Sequence, residues 1–253
     1  MSEFWSFALV GFLAQLVDGT LGMGFGVISS SVLLAQGIHP ALASASVNAA
    51  KLPTTFTAAI SHFVHKNLNI KLLLAVAIFG SLGGFLGAML LTSLKGKVLF
   101  HLINAYLLGI GGLIIYRGIR EIVPHHLPKF FAHGVGFLGG LVEGIGGSWG
   151  PIVTTGLLGG GVESRYAIGS TNIAEFFVSL TVFLTFVFAF LIGHWEGGAD
   201  WHTVFLPVAG LVTGGLPAAL AGGYLSKIAP RRELTVVVGM LAVAIGMFRI
   251  ITS

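Results

Sequence analysis

Cysteine is absent from these 253 residues. Disulfides, thiolate nucleophiles and cysteine-based metal sites are thereby excluded. Charge is scarce: Asp, Glu, Lys and Arg make up only 9% of the chain, against ~25% in a soluble domain. So little charge cannot clothe a water-facing surface, and lipid must be the solvent. No basic run is longer than Arg231-Arg232, which leaves nucleic-acid binding without support. The phosphate-cradling pattern G-x-x-x-x-G-K-[ST] is missing, so ATP coupling within the chain is not expected. His62 and His65, and the pair His125-His126, have no further ligand pattern around them. Neither a metal nor another cofactor is expected. The N-terminus is slightly acidic and lacks a basic n-region, so the first apolar segment is expected to be retained.

What the chain has instead is apolar length. Mean hydropathy is +0.95, and continuous apolar segments fall at about 4–36, 41–61, 72–94, 98–116, 131–161, 166–193, 203–225 and 233–251. A helix needs about 20 apolar residues to cross a ~30 Å hydrocarbon core. The runs are too long and too uniformly apolar for barrel strands. The expected fold is an all-α polytopic membrane protein.

Two segments, 4–36 and 131–161, are interrupted by glycine. The first reads Asp18-Gly-Thr-Leu-Gly22-Met23-Gly24-Phe25-Gly26, the second Glu143-Gly-Ile-Gly146-Gly147-Ser148-Trp149-Gly150-Pro151. Each glycine costs a helix about 1 kcal/mol relative to alanine, and proline more. Irregular backbone at membrane depth survives only inside protein or beside a watery cavity. These breaks are therefore the first place to look for a site.

The two segments also align with each other. Gly11-Phe-Leu matches Gly136-Phe-Leu, and Asp18-Gly matches Glu143-Gly. After a one-residue gap Gly22–Gly26 matches Gly146–Gly150, with Phe25 on Trp149. The register continues through Gly37/Gly161, Ser46/Ser170, Asn48/Asn172 and Lys51/Glu175. Two repeats are expected, residues 1–120 and 121–253, within one membrane domain. Internal repeats of this kind typify transporters.

Basic residues suggest how the repeats are oriented, because short cytoplasmic loops are rich in Lys and Arg. With every segment spanning, they divide six and six. With the broken segments as hairpins that enter and leave by one face, the division becomes nine against three. One side then holds Lys66, Lys71, Arg117, Arg120, Lys129, Arg165, Lys227, Arg231 and Arg232, the other Lys95, Lys97 and Arg249. Hairpin arms of ~14–15 residues reach ~21 Å at 1.5 Å per residue, past the midplane without crossing. Each repeat is then a re-entrant or discontinuous hairpin plus three crossings, and an odd number of crossings inverts the halves. Both termini are expected outside the cytoplasm. Trp195 and Trp201 suit an interfacial belt.

Broken helices leave unpaired amides at half-helix N-termini, where the dipole favours anions. Gly22, Met23, Gly24, Phe25 and Gly26, with Gly146, Gly147, Ser148, Trp149 and Gly150, are thus candidates to cradle an anion; Thr20 and Ser148 would add hydroxyls. Tight hairpin packing alone would also explain the glycines. Asn48 and Lys51 share a helix face, as do Asn172 and Glu175. Lys51 supplies positive charge, and Glu175 would pair with it or carry a coupling proton; a purely structural ion pair stands equally open. Asp18 and Glu143 are further proton-coupling candidates, with acceptance of backbone amide bonds the favoured alternative. Gly146-Gly-Ser148-Trp-Gly150 formally matches G-x-S-x-G, but that motif needs a strand–turn–helix and a triad. An enzyme is not expected. A secondary transporter leads, with a passive anion channel as the alternative.

The paired glycine breaks, each followed about two dozen residues later by Ser-x-Asn at Ser46 and Ser170, resemble the sulfite exporter TauE/SafE family. The resemblance covers essentially the whole chain. It implies a prokaryotic inner-membrane permease for small anions, often sulfur oxyanions or organosulfonates. The motifs are mostly glycine and apolar, so they speak to family more than to substrate. The implied partners are the anion and the bilayer; coupling protons and a homodimer are left open.

Overall fold

The computed structural model describes residues 2–94, 96–120, 130–194, 202–225 and 231–251. Lys95, His125, His126, Lys129, Trp195, Trp201 and Lys227 lie outside the described residues, as do the side chains of Lys97, Arg231 and Arg249. Among the described residues every regular element is a helix: α1 (Ser2–Leu21), α2 (Phe25–Ala35), α3 (Pro40–Val64), α4 (Ile70–Ser93), α5 (Gly96–Ile119), α6 (Phe131–Gly146), α7 (Trp149–Gly159), α8 (Ser164–Leu191), α9 (His202–Leu225) and α10 (Arg231–Ile251).

Both expected breaks are real, and glycine makes them. Gly24 sits at φ +140 before α2, and Gly147 at φ +74 after α6, conformations an L side chain rarely adopts. The arms are less equal than the expected ~14–15 residues each. α1 has 20 residues and α6 has 16, whereas α2 and α7 have 11 each. α1 is long because its polar first turn is helical too; Glu3 there is favoured by the N-terminal dipole. Among the described residues five helical stretches are long and apolar enough to cross a membrane: Glu3–Leu21, Ile70–Ser93, His101–Ile119, Ser164–Leu191 and Val204–Ala221.

Helices of the two halves pack in matching pairs. α1 lies along α9 and α6 along α4; α3 touches α9 and α8 touches α4; α3 meets α8, and α5 meets α10. Close approach is bought by small residues: a Cβ on Gly140 would fall 1.9 Å from the Gly80 carbonyl, and one on Gly214 would fall 1.7 Å from the Ala8 carbonyl.

The molecule is turned inside out relative to a soluble protein. Large apolar side chains such as Leu74, Ile78, Leu82, Leu184 and Phe205 are exposed, while Asp18, Lys51, Glu143 and Glu175 are buried. Burying charge while exposing leucine is stable only where the surroundings are hydrocarbon.

Candidate functional site

α3 begins behind a turn at Gly37, with Pro40 in its first turn, where proline's missing N–H costs nothing. Its buried face carries Ser44, Ser46, Asn48, Lys51, Thr54 and Thr55. Most of these groups bond back to their own helix: Ser46 to the Leu42 carbonyl at 2.6 Å, Asn48 Nδ2 to Ser44 at 2.9 Å and Thr55 to Lys51 at 2.6 Å. α8 repeats the pattern, with Thr171 donating to Ala167 at 2.6 Å and Asn172 Nδ2 to Ile168 at 2.9 Å. What leaves each helix at the matching position is an ionisable side chain, Lys51 on α3 and Glu175 on α8.

These two meet, and a third joins them. Lys51 Nζ donates to Glu175 Oε1 at 2.7 Å, to Glu143 Oε1 at 2.7 Å and to the Gly147 carbonyl at 3.0 Å. All three ammonium hydrogens are thereby used. The exposures are 1% for Lys51, 0% for Glu143 and 2% for Glu175. Glu143 also spans its own break, since its Oε2 accepts the Trp149 N–H at 2.7 Å. Asp18 does the same across the first break, taking the Phe25 N–H on Oδ1 at 3.2 Å. Asp18 makes no ion pair among the described residues. Among the described residues Asp18 Oδ2, Glu175 Oε2, and Oδ1 of Asn48 and Asn172 have no hydrogen-bond partner.

The tips of the hairpins interlock. A Cβ on Gly26 would lie 1.4 Å from the Gly147 carbonyl, and one on Gly150 would lie 2.2 Å from the Gly22 carbonyl. Two hydroxyls tie the breaks reciprocally: Ser30 donates to the Gly146 carbonyl at 2.6 Å and Thr154 to the Gly22 carbonyl at 2.7 Å. Ser30 and Thr154 stand in the same register as Lys51 and Glu175, which are 124 positions apart. Met23 and Phe25 are buried at the first tip. Trp149 is fully buried at the second, its indole N–H donating to the Thr171 carbonyl at 3.2 Å.

The expected site residues are thus brought together, with additions. Ser148 does not face open space; its hydroxyl meets that of Tyr106 on α5. It lies between two helices with no strand before it among the described residues. Thr20 is turned to its own helix, donating to the Val17 carbonyl at 2.8 Å. Ser30, Thr154 and Tyr106 were not picked out by the sequence; extending the repeat register would have found the first two. Ser179 was missed as well, though it is one helical turn after Glu175, and its hydroxyl is 3.5 Å from Glu143 Oε1. Beside the first break a cavity of about 560 Å³ opens, with Leu21 and Met23 in its wall.

An apolar shell around two discontinuous helices whose tips enclose buried charge is the architecture of a membrane transport protein. The family model described as Sulfite exporter TauE/SafE matches residues 7–249, and the chain belongs to that family. It is 33% identical over 261 residues to "Probable membrane transporter protein YtnM" of Bacillus subtilis (strain 168), covering 100% of this chain and 82% of the relative. No solved structure matches it. The chain is a multi-pass membrane transporter of a small-molecule substrate.

Proposed function

We propose that this transporter moves a small anion, a sulfur oxyanion or organosulfonate such as sulfite, across a prokaryotic cytoplasmic membrane by alternating access. The observation that carries the reading is the meeting of both broken hairpins around the buried ammonium of Lys51. The first amides of α2 and α7, those of Phe25 and Trp149, are held by the carboxylates of Asp18 and Glu143, so these half-helix N-termini suit negative charge.

The state described is closed to an anion, because the three hydrogens of Lys51 are already bound to Glu143, Glu175 and Gly147. An arriving anion must displace a carboxylate. Displacement becomes favourable when that carboxyl takes up a proton, since a neutral acid holds an ammonium far less strongly. Three buried carboxyl groups face one ammonium, so full ionisation leaves two negative charges uncompensated in a dry site, a costly arrangement. Glu175, Glu143 and Asp18 are therefore the proton carriers of this scheme, and anion and proton bind with mutual support. Glu143 combines this role with acceptance of the Trp149 amide, so the two readings of that residue are compatible.

The halves, 1–120 and 121–253, act as inverted repeats with both termini outside the cytoplasm. The matching helix pairs and the reciprocal Ser30 and Thr154 bonds support two equivalent halves. The nine-to-three division of basic residues supports the inversion. A C-terminal reporter active only in the cytoplasm should stay dark.

A passive channel needs a continuous open path, and the burial of the Lys51 cluster weighs against one. Reconstituted protein decides between them. Saturable uptake of sulfite, thiosulfate or an organosulfonate, with counterflow against unlabelled substrate, is the expected result. Unsaturable flux without counterflow would establish the channel, and no anion flux at all would end the proposal.

A further inference from the structure

Arg117, Arg120 and Arg232 gather around one cavity, although by sequence alone they count only as markers of the cytoplasmic face. The cavity, about 560 Å³, lies between the ends of α5 and α7 and the start of α10, and it reaches Leu21 and Met23 at the first break. Arg117 is not splayed onto the headgroup surface. It is half-buried, and Nη1 donates to the carbonyl of Pro151, in the first turn of α7, at 3.3 Å. Arg120 lies over the Tyr116 ring at 5.1 Å, and Arg232 is exposed. Among the described residues no carboxylate pairs with any of the three. The acid at the rim, Glu163, is taken by Arg165 at 2.8 Å.

We propose that this cavity is an oxyanion-loading chamber, in which the transported anion is gathered before it reaches the first break. The inference rests on the transport reading above. A guanidinium presents its N–H groups in a planar fork that fits the oxygens of a sulfite or sulfonate group two at a time. Three such cations around a chamber with low-dielectric walls focus the field and raise the local concentration of anions. The volume is generous: pockets for whole drug-sized ligands measure ~300–1,000 Å³, so a small oxyanion keeps part of its hydration here. Binding is accordingly loose and salt-sensitive, which suits a chamber that must pass its ion onward. Arg117 is the innermost cation. Its bond to α7 places it where the chamber adjoins the hairpin that carries Trp149 and Thr154.

The same fork would hold the phosphate of a lipid headgroup, so the test separates the two sources. Binding of radiolabelled sulfite is measured in lipid-free detergent micelles, at low and high salt, with and without added phosphatidylglycerol. Arg117→Gln should weaken binding about tenfold or more, the scale of a lost charge-assisted bond. Arg117→Lys should recover part of it. The exposed pair Arg120→Gln with Arg232→Gln should shift affinity in the same direction without touching the Pro151 contact, so misfolding cannot imitate the result. Lys71→Gln, an equal charge change outside the cavity, should leave binding as it was. In proteoliposomes Arg117→Gln should raise KM and spare kcat. Unchanged sulfite affinity and KM in Arg117→Gln would overturn the chamber while leaving the transport reading intact. So would a wild type that binds phosphatidylglycerol but no sulfite. Arg117-dependent sulfite binding in a protein that moves no anion would strike the transport reading and its loading role, and leave an oxyanion site at Arg117 standing.

Discussion

Removing the ammonium of Lys51 while keeping its partners is the sharpest perturbation available. In Lys51→Met, Glu143 and Glu175 lose the cation that lay 2.7 Å from each of them. The Gly147 carbonyl loses its donor as well. Breaking a buried ion pair from one side costs about 3–5 kcal/mol, because the charge left behind has neither water nor partner. An orphaned carbonyl adds about 1–3 kcal/mol. Relief comes from neutralising the two acids that Lys51 pairs: Lys51→Met with Glu143→Gln and Glu175→Gln leaves no carboxylate stripped of a bonded cation, and Asp18 keeps its Phe25 amide. The glutamine at 143 still offers a carbonyl to the Trp149 N–H. Replacing a buried ionic set by neutral groups is often neutral or stabilising, so the triple variant should return to within ~1–2 kcal/mol of the parent. Unfolding in mixed micelles, followed by tryptophan fluorescence, reads the difference. A Lys51→Met protein as stable as the parent would refute the reasoning. So would a triple variant as unstable as the single one. The stable triple variant should also move no anion, which separates the role of the site from its contribution to the fold.

Gly26→Ala should prevent stable folding, because its Cβ would sit 1.4 Å from the Gly147 carbonyl, whereas Gly109→Ala has open space and should be neutral or stabilising by up to ~1 kcal/mol in the same unfolding assay. Ser30→Ala and Thr154→Val should each cost about 0.5–1.5 kcal/mol, and to a similar extent, since each removes one of the two reciprocal bonds between the breaks; strongly unequal losses would argue against equivalent halves. Affinity for an organosulfonate, whose own charge does not change with pH, should rise as pH is lowered, because a protonated carboxyl releases the Lys51 ammonium for the anion. Pre-steady-state binding at fixed salt measures this, and a flat profile would remove proton coupling from the scheme.

Much of this was legible in the sequence, for identifiable reasons. The breaks were readable because glycine and proline interrupt apolar runs that otherwise carry no signal. Lys51 and Glu175 were readable because ionisable residues are conspicuous in membrane segments and because the repeat places them in register. That Glu143 would complete the cluster was not readable. It lies 92 positions from Lys51, and only the folding of α6 against α3 and α8 sets its carboxylate beside the ammonium. Tyr106 was hidden for a related reason, since nothing in its surroundings on α5 advertises a hydroxyl aimed at Ser148. The arginines around the chamber were visible only as charge. Nothing in their spacing says that Arg117 bends inward while Arg120 and Arg232 remain exposed.

One departure from the repeat bears on how such a molecule rests. Identical halves would give the two access states equal energy, with no reason to prefer either. Here the repeat partner of Lys51 is Glu175, so a single ammonium serves both halves. It is spent on the second hairpin, binding Glu143 before that break and the Gly147 carbonyl within it. Among the described residues the corresponding acid of the first hairpin, Asp18, holds only the Phe25 amide, and its second oxygen has no partner. The second break is therefore pinned by charge and the first is held by packing and hydroxyls. The 560 Å³ cavity borders both hairpins, at Leu21 and Met23 of the first and at Thr155 and Leu158 of the second. The unequal charge, and not the placement of the cavity, is thus what distinguishes the two hairpins.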